Sequence, residues 1–153
     1  MDQIARVPHV AGLYISENLT RASFQGAGIT DVVTVGDSSD LPYKQWPGRV
    51  DFRFPDAELT NAAWGTMIAA VQHCIGRLIA NRLVAVHCAA GVNRSSLVSV
   101  LVCKHFNPSV PMTNIIEDLR EAKYKVNPSW VTLTNEWFVK AIQESHTQPA
   151  VEW

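Results

Sequence analysis

The chain has 153 residues, 47% hydrophobic and 18% charged, with a formal net charge of −1. That length and composition predict a single globular domain over residues 1–145 with a short tail at 146–153, and the near-neutral balance excludes a global pull towards nucleic acid or anionic membrane. No apolar run reaches the about 18 residues of a spanning helix, and no signal-peptide or lipidation pattern is seen, so a cytoplasmic protein is expected, with the nucleus also open.

Gly12-Leu13-Tyr14-Ile15 reads as a short strand, and Ser16 as the cap of a helix ending near Phe24. Ile29 to Val35 is rich in β-branched residues and reads as a buried strand. Gly36 to Gly48, with Pro42 and Pro47, is a surface loop. Val50, Phe52 and Phe54 alternate with Asp51 and Arg53, a strand with one buried face. From Asn61 to Asn81, the residues Trp64, Met67, Ile68, Val71, Ile75 and Leu78 follow the spacing of an amphipathic helix. Leu83-Val84-Ala85-Val86 leads into a central strand ending at His87. Ser96 to Cys103 is an apolar, largely buried helix. Thr113 caps a helix to about Tyr124, and Asn127 caps another with Pro128 at its first position, carrying Trp130, Leu133, Trp137, Phe138 and Ala141. Strands alternating with helices predict an α/β three-layer sandwich with a central, mostly parallel sheet of about four to five strands.

Cys74, Cys88 and Cys103 form no Cys-x-x-Cys pair and are too few for a disulfide framework, which fits a reducing compartment. The neighbours His73-Cys74 and His87-Cys88 lack tetrahedral ligand spacing, so no metal and no cofactor are expected.

The segment His87-Cys88-Ala89-Ala90-Gly91-Val92-Asn93-Arg94-Ser95 carries the chemistry. It lies between a strand and a helix, the arrangement that aims backbone N–H groups at a phosphate. Cys88 then sits at the foot of an anion cradle, and the Arg94 guanidinium can clamp two phosphate oxygens as a fork. The stretch resembles the His-Cys-x5-Arg-Ser/Thr signature of the cysteine-dependent protein tyrosine phosphatases, most closely the small dual-specificity branch. The resemblance spans about Val10 to Ile142 and implies that family's fold.

A helix N-terminus, converging N–H groups and Arg94 all favour a nucleophilic thiolate at Cys88, which would attack a phosphoester to form phosphocysteine. The amides of Ala89, Ala90, Gly91, Val92 and Asn93, with Arg94, would hold the equatorial oxygens. A general acid must protonate the leaving oxygen. Asp31 opens a buried strand, Asp51 lies on a solvated face, and Asp37 and Asp40 sit in a loop. Asp118 sits on a helix face downstream. Asp56 follows Pro55 at a strand end, 32 residues before Cys88, a separation similar to that of the family's acid, and is the candidate. By the same resemblance, Ser95 eases departure of the thiolate and His87 fixes the loop. Asn127 has two readings: a family-like Asn-Pro position, or a plain helix cap.

Ala89, Ala90 and Val92 bring no positive side chain, which disfavours highly charged inositol headgroups. The long pocket-deepening segment of the large tyrosine-specific enzymes is missing, so the expected substrate is a phosphoprotein or phosphopeptide, phosphorylated on tyrosine or on serine/threonine. Tyr43, Trp46 and Arg53 are candidates for the pocket rim, with packing as the other reading. Asn93 before the arginine is similar to the RNA 5′-triphosphatase branch, which as a rule lacks the acid, and this keeps triphosphate-ended RNA as an alternative substrate. A non-catalytic phosphate-binding pseudophosphatase is the other alternative; such proteins typically lose the cysteine, arginine or acid, and all three are here.

Overall fold

A computed structural model describes residues 3–36 and 47–147. The predicted loop with Asp37, Asp40, Tyr43 and Trp46, and residues 148–153 of the predicted tail, lie outside the described residues. Five strands form one sheet: β1 (Ile4–Arg6), β2 (Leu13–Ser16), β3 (Asp31–Thr34), β4 (Arg49–Asp51) and β5 (Val84–His87), in the order β1-β2-β5-β3-β4. Only the β1–β2 pair is antiparallel. The central strand β5 matches Val84 to Leu13 on one side and to Asp31 on the other.

Among the described residues five helices pack on the sheet: α1 (Arg21–Gly26), α2 (Asn61–Ile79), α3 (Arg94–Phe106), α4 (Met112–Val126) and α5 (Glu136–Thr147). Side chains alternate across the sheet. Val33, Val84 and Val86 join the main core with α2, α3, α4 and α5, whereas Val32 and Ala85 join a smaller core with Phe24 of α1. The three-layer sandwich predicted from the sequence is the architecture found. Among the described residues no helix is long and apolar enough to cross a membrane.

Several boundaries differ from expectation, each for a local reason. Strand β1 was not foreseen: three residues carry no readable alternation, and they pair because β2 offers an open edge. Ser16 does not cap α1. It is drawn into β2 opposite His87 and fully buried, and Thr20 caps instead by accepting from the Ser23 amide at 3.2 Å. The strand expected at 50–54 is regular only to Asp51, although the Phe52 and Phe54 amides still donate to Thr34 and Val35. Helix α2 stops at Ile79, and Asn81 takes a left-handed φ of 61°. Helix α4 begins at Met112 after Pro111, with no side-chain cap from Thr113.

The largest correction concerns Asn127. It does not open a helix but closes α4, its amide donating to the Lys123 carbonyl at 3.0 Å. Its Oδ1 accepts from the Ser129 amide in a local turn, and residues 127–135 stay irregular. Helix α5 starts only at Glu136, where Asn135 Oδ1 accepts from the Trp137 amide at 2.9 Å. It runs to Thr147, past the predicted start of the tail. Phe138, Ala141 and Ile142 face the core and Trp137 is half exposed.

Candidate active site

Strand β5 delivers Cys88 at the carboxyl end of the sheet, and α3 begins at Arg94, so residues 88–93 form the turn between them. Open parallel sheets place ligands at this edge. Each carbonyl of the turn is taken by a donor from the surrounding fold. Cys88 O faces His87 Nδ1 at 3.4 Å, and Ala89 O accepts from the Asn18 amide at 3.2 Å. Ala90 O accepts from Trp130 Nε1 at 2.9 Å, and Gly91 O from Lys123 Nζ at 2.7 Å. Val92 O accepts from the Leu133 amide at 3.0 Å, and Asn93 O from the Leu97 amide at 2.8 Å. The N–H groups of residues 89–93 donate to no partner among the described residues. With carbonyls held outward, the amides are left to converge on an anion.

Two glycines make this turn possible. Gly91 has φ +69°, and a Cβ there would meet Trp130 at 2.8 Å and the Ser16 carbonyl oxygen at 2.9 Å. Gly36, after β3, passes so close that a Cβ would lie 2.7 Å from the Cys88 Cα. Only a residue without a side chain fits at either position.

Cys88 is 4% exposed, and its Sγ lies 3.2 Å from Ser95 Oγ. Arg94 is buried, and its Nη1 donates to the Phe54 carbonyl at 3.3 Å. His87 is fully buried, with Nε2 2.7 Å from Thr34 Oγ1. Burial pushes the imidazole down to about 4, so the ring is neutral near pH 7.

Asp56 stands beyond the end of β4, bridged to the turn by side chains. Asn93 Nδ2 donates to its Oδ2 at 2.9 Å and Asn135 Nδ2 to its Oδ1 at 2.7 Å. Asn93 Oδ1 accepts from the amides of Thr134 at 2.7 Å and Asn135 at 3.0 Å. The side chain of Asn93 therefore faces the acid, while its carbonyl belongs to α3. A thiol, a guanidinium, a hydroxyl and a carboxylate thus gather around one turn, a set of groups able to carry phosphoryl transfer through a covalent intermediate.

No protein-family model matches the sequence, and no curated protein matches it. Solved structures do. The PTP-2 phosphatase of Cydia pomonella matches with a TM-score of 0.75 at 16% identity, covering 94% of this chain and 90% of its own. The human tyrosine phosphatase-like serine/threonine/tyrosine-interacting protein matches with a TM-score of 0.75 at 16% identity, covering 94% and 95%. Human DUSP28 matches with a TM-score of 0.72 at 15% identity, covering 95% and 93%. The fold is that of the dual-specificity phosphatases.

Within this phosphatase fold, other expected residues fall elsewhere. The side-chain hydrogen bonds of Asn127 go to Gln3 and Ser129, tying the end of α4 to the residue before β1 rather than to the turn. Asp118 pairs with His9 at 2.6 Å. Asp51 pairs with Arg49 and, at 3.5 Å, with Arg53 on an exposed face. Asp31 lies at the opposite end of the sheet, bonded by Arg77 and Arg82. Cys74 and Cys103 are buried, and desolvation pushes both thiols up to about 12, so neither is a thiolate near pH 7.

Lys123, Trp130, Thr134 and Asn135 were not anticipated. Lys123 sits on an amphipathic helix, where a lysine reads as solvated. Trp130 looked like helix core. Asn135 before Glu136 did carry a signal, since an asparagine opening a helical run is a cap pattern.

Proposed function

We propose that this chain is a cysteine-dependent phosphoprotein phosphatase, with its catalytic domain over residues 1–145, that acts on phosphotyrosine and phosphoserine/threonine. One observation carries the reading: Cys88 lies at the foot of a turn whose carbonyls are all engaged outward, with Ser95 at 3.2 Å and Asp56 bridged to the same turn by Asn93. In the first step the Cys88 thiolate attacks phosphorus. The S–P bond forms, the ester P–O bond breaks, and the Asp56 carboxylic acid gives its proton to the leaving oxygen. The amides of residues 89–94 and the Arg94 fork hold the equatorial oxygens through the transition state. In the second step the Asp56 carboxylate takes a proton from water as that water attacks phosphocysteine. The S–P bond breaks, and the Ser95 hydroxyl donates to the departing sulfur. His87 serves as a neutral spacer between Thr34 and the turn. The chain needs no metal or cofactor for these steps, and the cytoplasm, whose thiols stay reduced, suits its nucleophile.

Phosphate release from a phosphotyrosine peptide under reducing conditions tests this. Wild type is expected to turn over, Cys88→Ser to lose all activity, and Asp56→Asn to fall by roughly 10²–10⁴-fold. Undiminished release by Cys88→Ser would defeat the assignment. The RNA 5′-triphosphatase reading rested on Asn93, and the bond from that side chain to Asp56 favours an acid-dependent reaction instead. Release of γ-phosphate from triphosphate-ended RNA, unchanged in Asp56→Asn, would restore it. Phosphopeptide binding without release would support the pseudophosphatase.

A further inference from the structure

Of the six donors that hold the turn's carbonyls outward, one is a cation. Lys123 is fully buried in α4. Its Nζ donates to Gly91 O at 2.7 Å, Val131 O at 2.6 Å and Ser96 Oγ at 3.3 Å, and lies 4.9 Å from the centroid of the Trp130 ring. These partners are neutral. A buried ammonium with no carboxylate against it among the described residues is costly to fold, and an apolar side chain of similar size would fill the site at less cost.

We propose that Lys123 is a positioning residue of the phosphate turn, its ammonium locking the Gly91 carbonyl outward and acting as an internal counter-charge to the Cys88 thiolate and to the phosphate bound above it. The inference rests on the reading of residues 88–94 as an anion cradle. Its geometry follows from the bonds. Gly91 lies at the tip of the turn at a left-handed φ, where a Cβ would strike Trp130 and the Ser16 carbonyl. A strong, charge-assisted bond to its carbonyl fixes the peptide plane on which the following amide depends. The second bond, to Val131, fastens the same cation to the segment that carries Trp130, Leu133 and Thr134. One ammonium therefore ties together the underside of the turn and the 130–135 segment that reaches Asp56.

The electrostatics point the same way. Burial pushes the Lys123 ammonium down to about 7, the Cys88 charge acts to raise it, and Arg120 on the same helix acts to lower it. Among the described residues, α3 and the 127–135 segment bring to Lys123 only the Ser96 hydroxyl, the Val131 carbonyl and the Trp130 ring, none of them charged. Negative charge in the turn thus favours the charged form of Lys123, against its burial. By linkage, an anion seated in the turn and a proton on Lys123 favour each other.

Two measurements test this. The first leaves Lys123 in place. The ¹³Cε resonance of Lys123 is followed against pH in wild type and in Cys88→Ser, and its midpoint is expected to be lower in the serine variant by about half a pH unit or more. Equal midpoints would overturn the proposal. The second compares inorganic tungstate binding to wild type and Lys123→Met by calorimetry, with iodoacetamide alkylation of Cys88 followed against pH. The methionine variant is expected to bind tungstate about tenfold more weakly and to reach half-maximal alkylation at higher pH. Affinity within twofold of wild type and an unmoved alkylation profile would overturn it. Because the NMR comparison involves no substrate, a wild type that releases no phosphate would count against the phosphatase reading without being confused with this result.

Discussion

The two ends of the sheet each bury a charge, and they treat it in opposite ways. At the amino end of β3, Asp31 receives Arg77 Nε at 2.8 Å, Arg82 Nε at 3.0 Å and the Thr30 hydroxyl at 2.8 Å. Burial works against its charge, but the bonds from Arg82, Thr30 and Arg77 outweigh that and hold the carboxyl below the usual range. At the carboxyl end of β5, Lys123 is paired only with neutral oxygens and a ring. The first arrangement is complete in itself and serves the fold. The second is complete only with an anion in the turn above, so its cost is tied to what binds there.

Perturbing each end in turn sharpens this contrast. The largest effect is expected from Gly91→Ala, which forces a Cβ onto Trp130 and the Ser16 carbonyl. Phosphate release should fall about a hundredfold or more, as misplaced catalytic geometry costs, while the Asp31 cluster stays intact. Asp31→Asn should do the reverse. Its two guanidinium groups are partly exposed, so a loss of about 2 kcal/mol in urea unfolding is expected rather than the full cost of a buried pair, with kcat/KM unchanged. A fall in kcat/KM beyond twofold would break the separation.

The pH dependence of stability divides the two ends again. His87 has its folded value pushed down to about 4 from 6.5. The unfolded chain therefore binds a proton between those values that the folded chain refuses, and stability falls as pH is lowered through that window. Between pH 6.5 and 5 the contribution is about 2 kcal/mol at about 1.4 kcal/mol per unit. Burial also lowers His73, so the His87 share is read as the part of the slope that disappears in His87→Asn. Asp31 has a depressed value. Its contribution is present above the unfolded pKa near 4 and is lost only as pH falls through the folded value, so it stays silent in the histidine window. The smallest change is expected for Asn135→Ala, which removes one of two amides on Asp56 and should lower kcat about tenfold. A pH profile whose acid-dependent limb shifts in that variant, with KM nearly constant, would show that the amide orients the acid.

Much of the site was legible in the sequence because its parts are local. Cys88, Gly91, Arg94 and Ser95 fall within one strand-turn-helix, and a turn between a buried strand and a buried helix can be recognised from apolar patterning and one glycine. Asp56 could be singled out because it follows Pro55 and lies 32 residues before Cys88, as the family resemblance implies, and it stands beside the turn through Asn93. Lys123, Trp130 and Asn135 were not legible. Each sits in a pattern with a bland local meaning, and each acquires its role through a contact across 32 to 79 positions of chain. Asn127 shows the same limit from the other side. The Asn-Pro pair is a sound local cap, but Leu133 and Lys123 engage the following backbone for the turn, and the helix waits until Asn135.

The sequence by itself determined the sandwich, the order of its main strands and helices, and the turn between β5 and α3, because hydrophobic periodicity and short-range turn chemistry act within a few residues. Only the tertiary structure decided where the turn's carbonyls go, which side chains hold the acid, and which lysine is buried, because hydrogen-bond satisfaction in the interior is settled between elements.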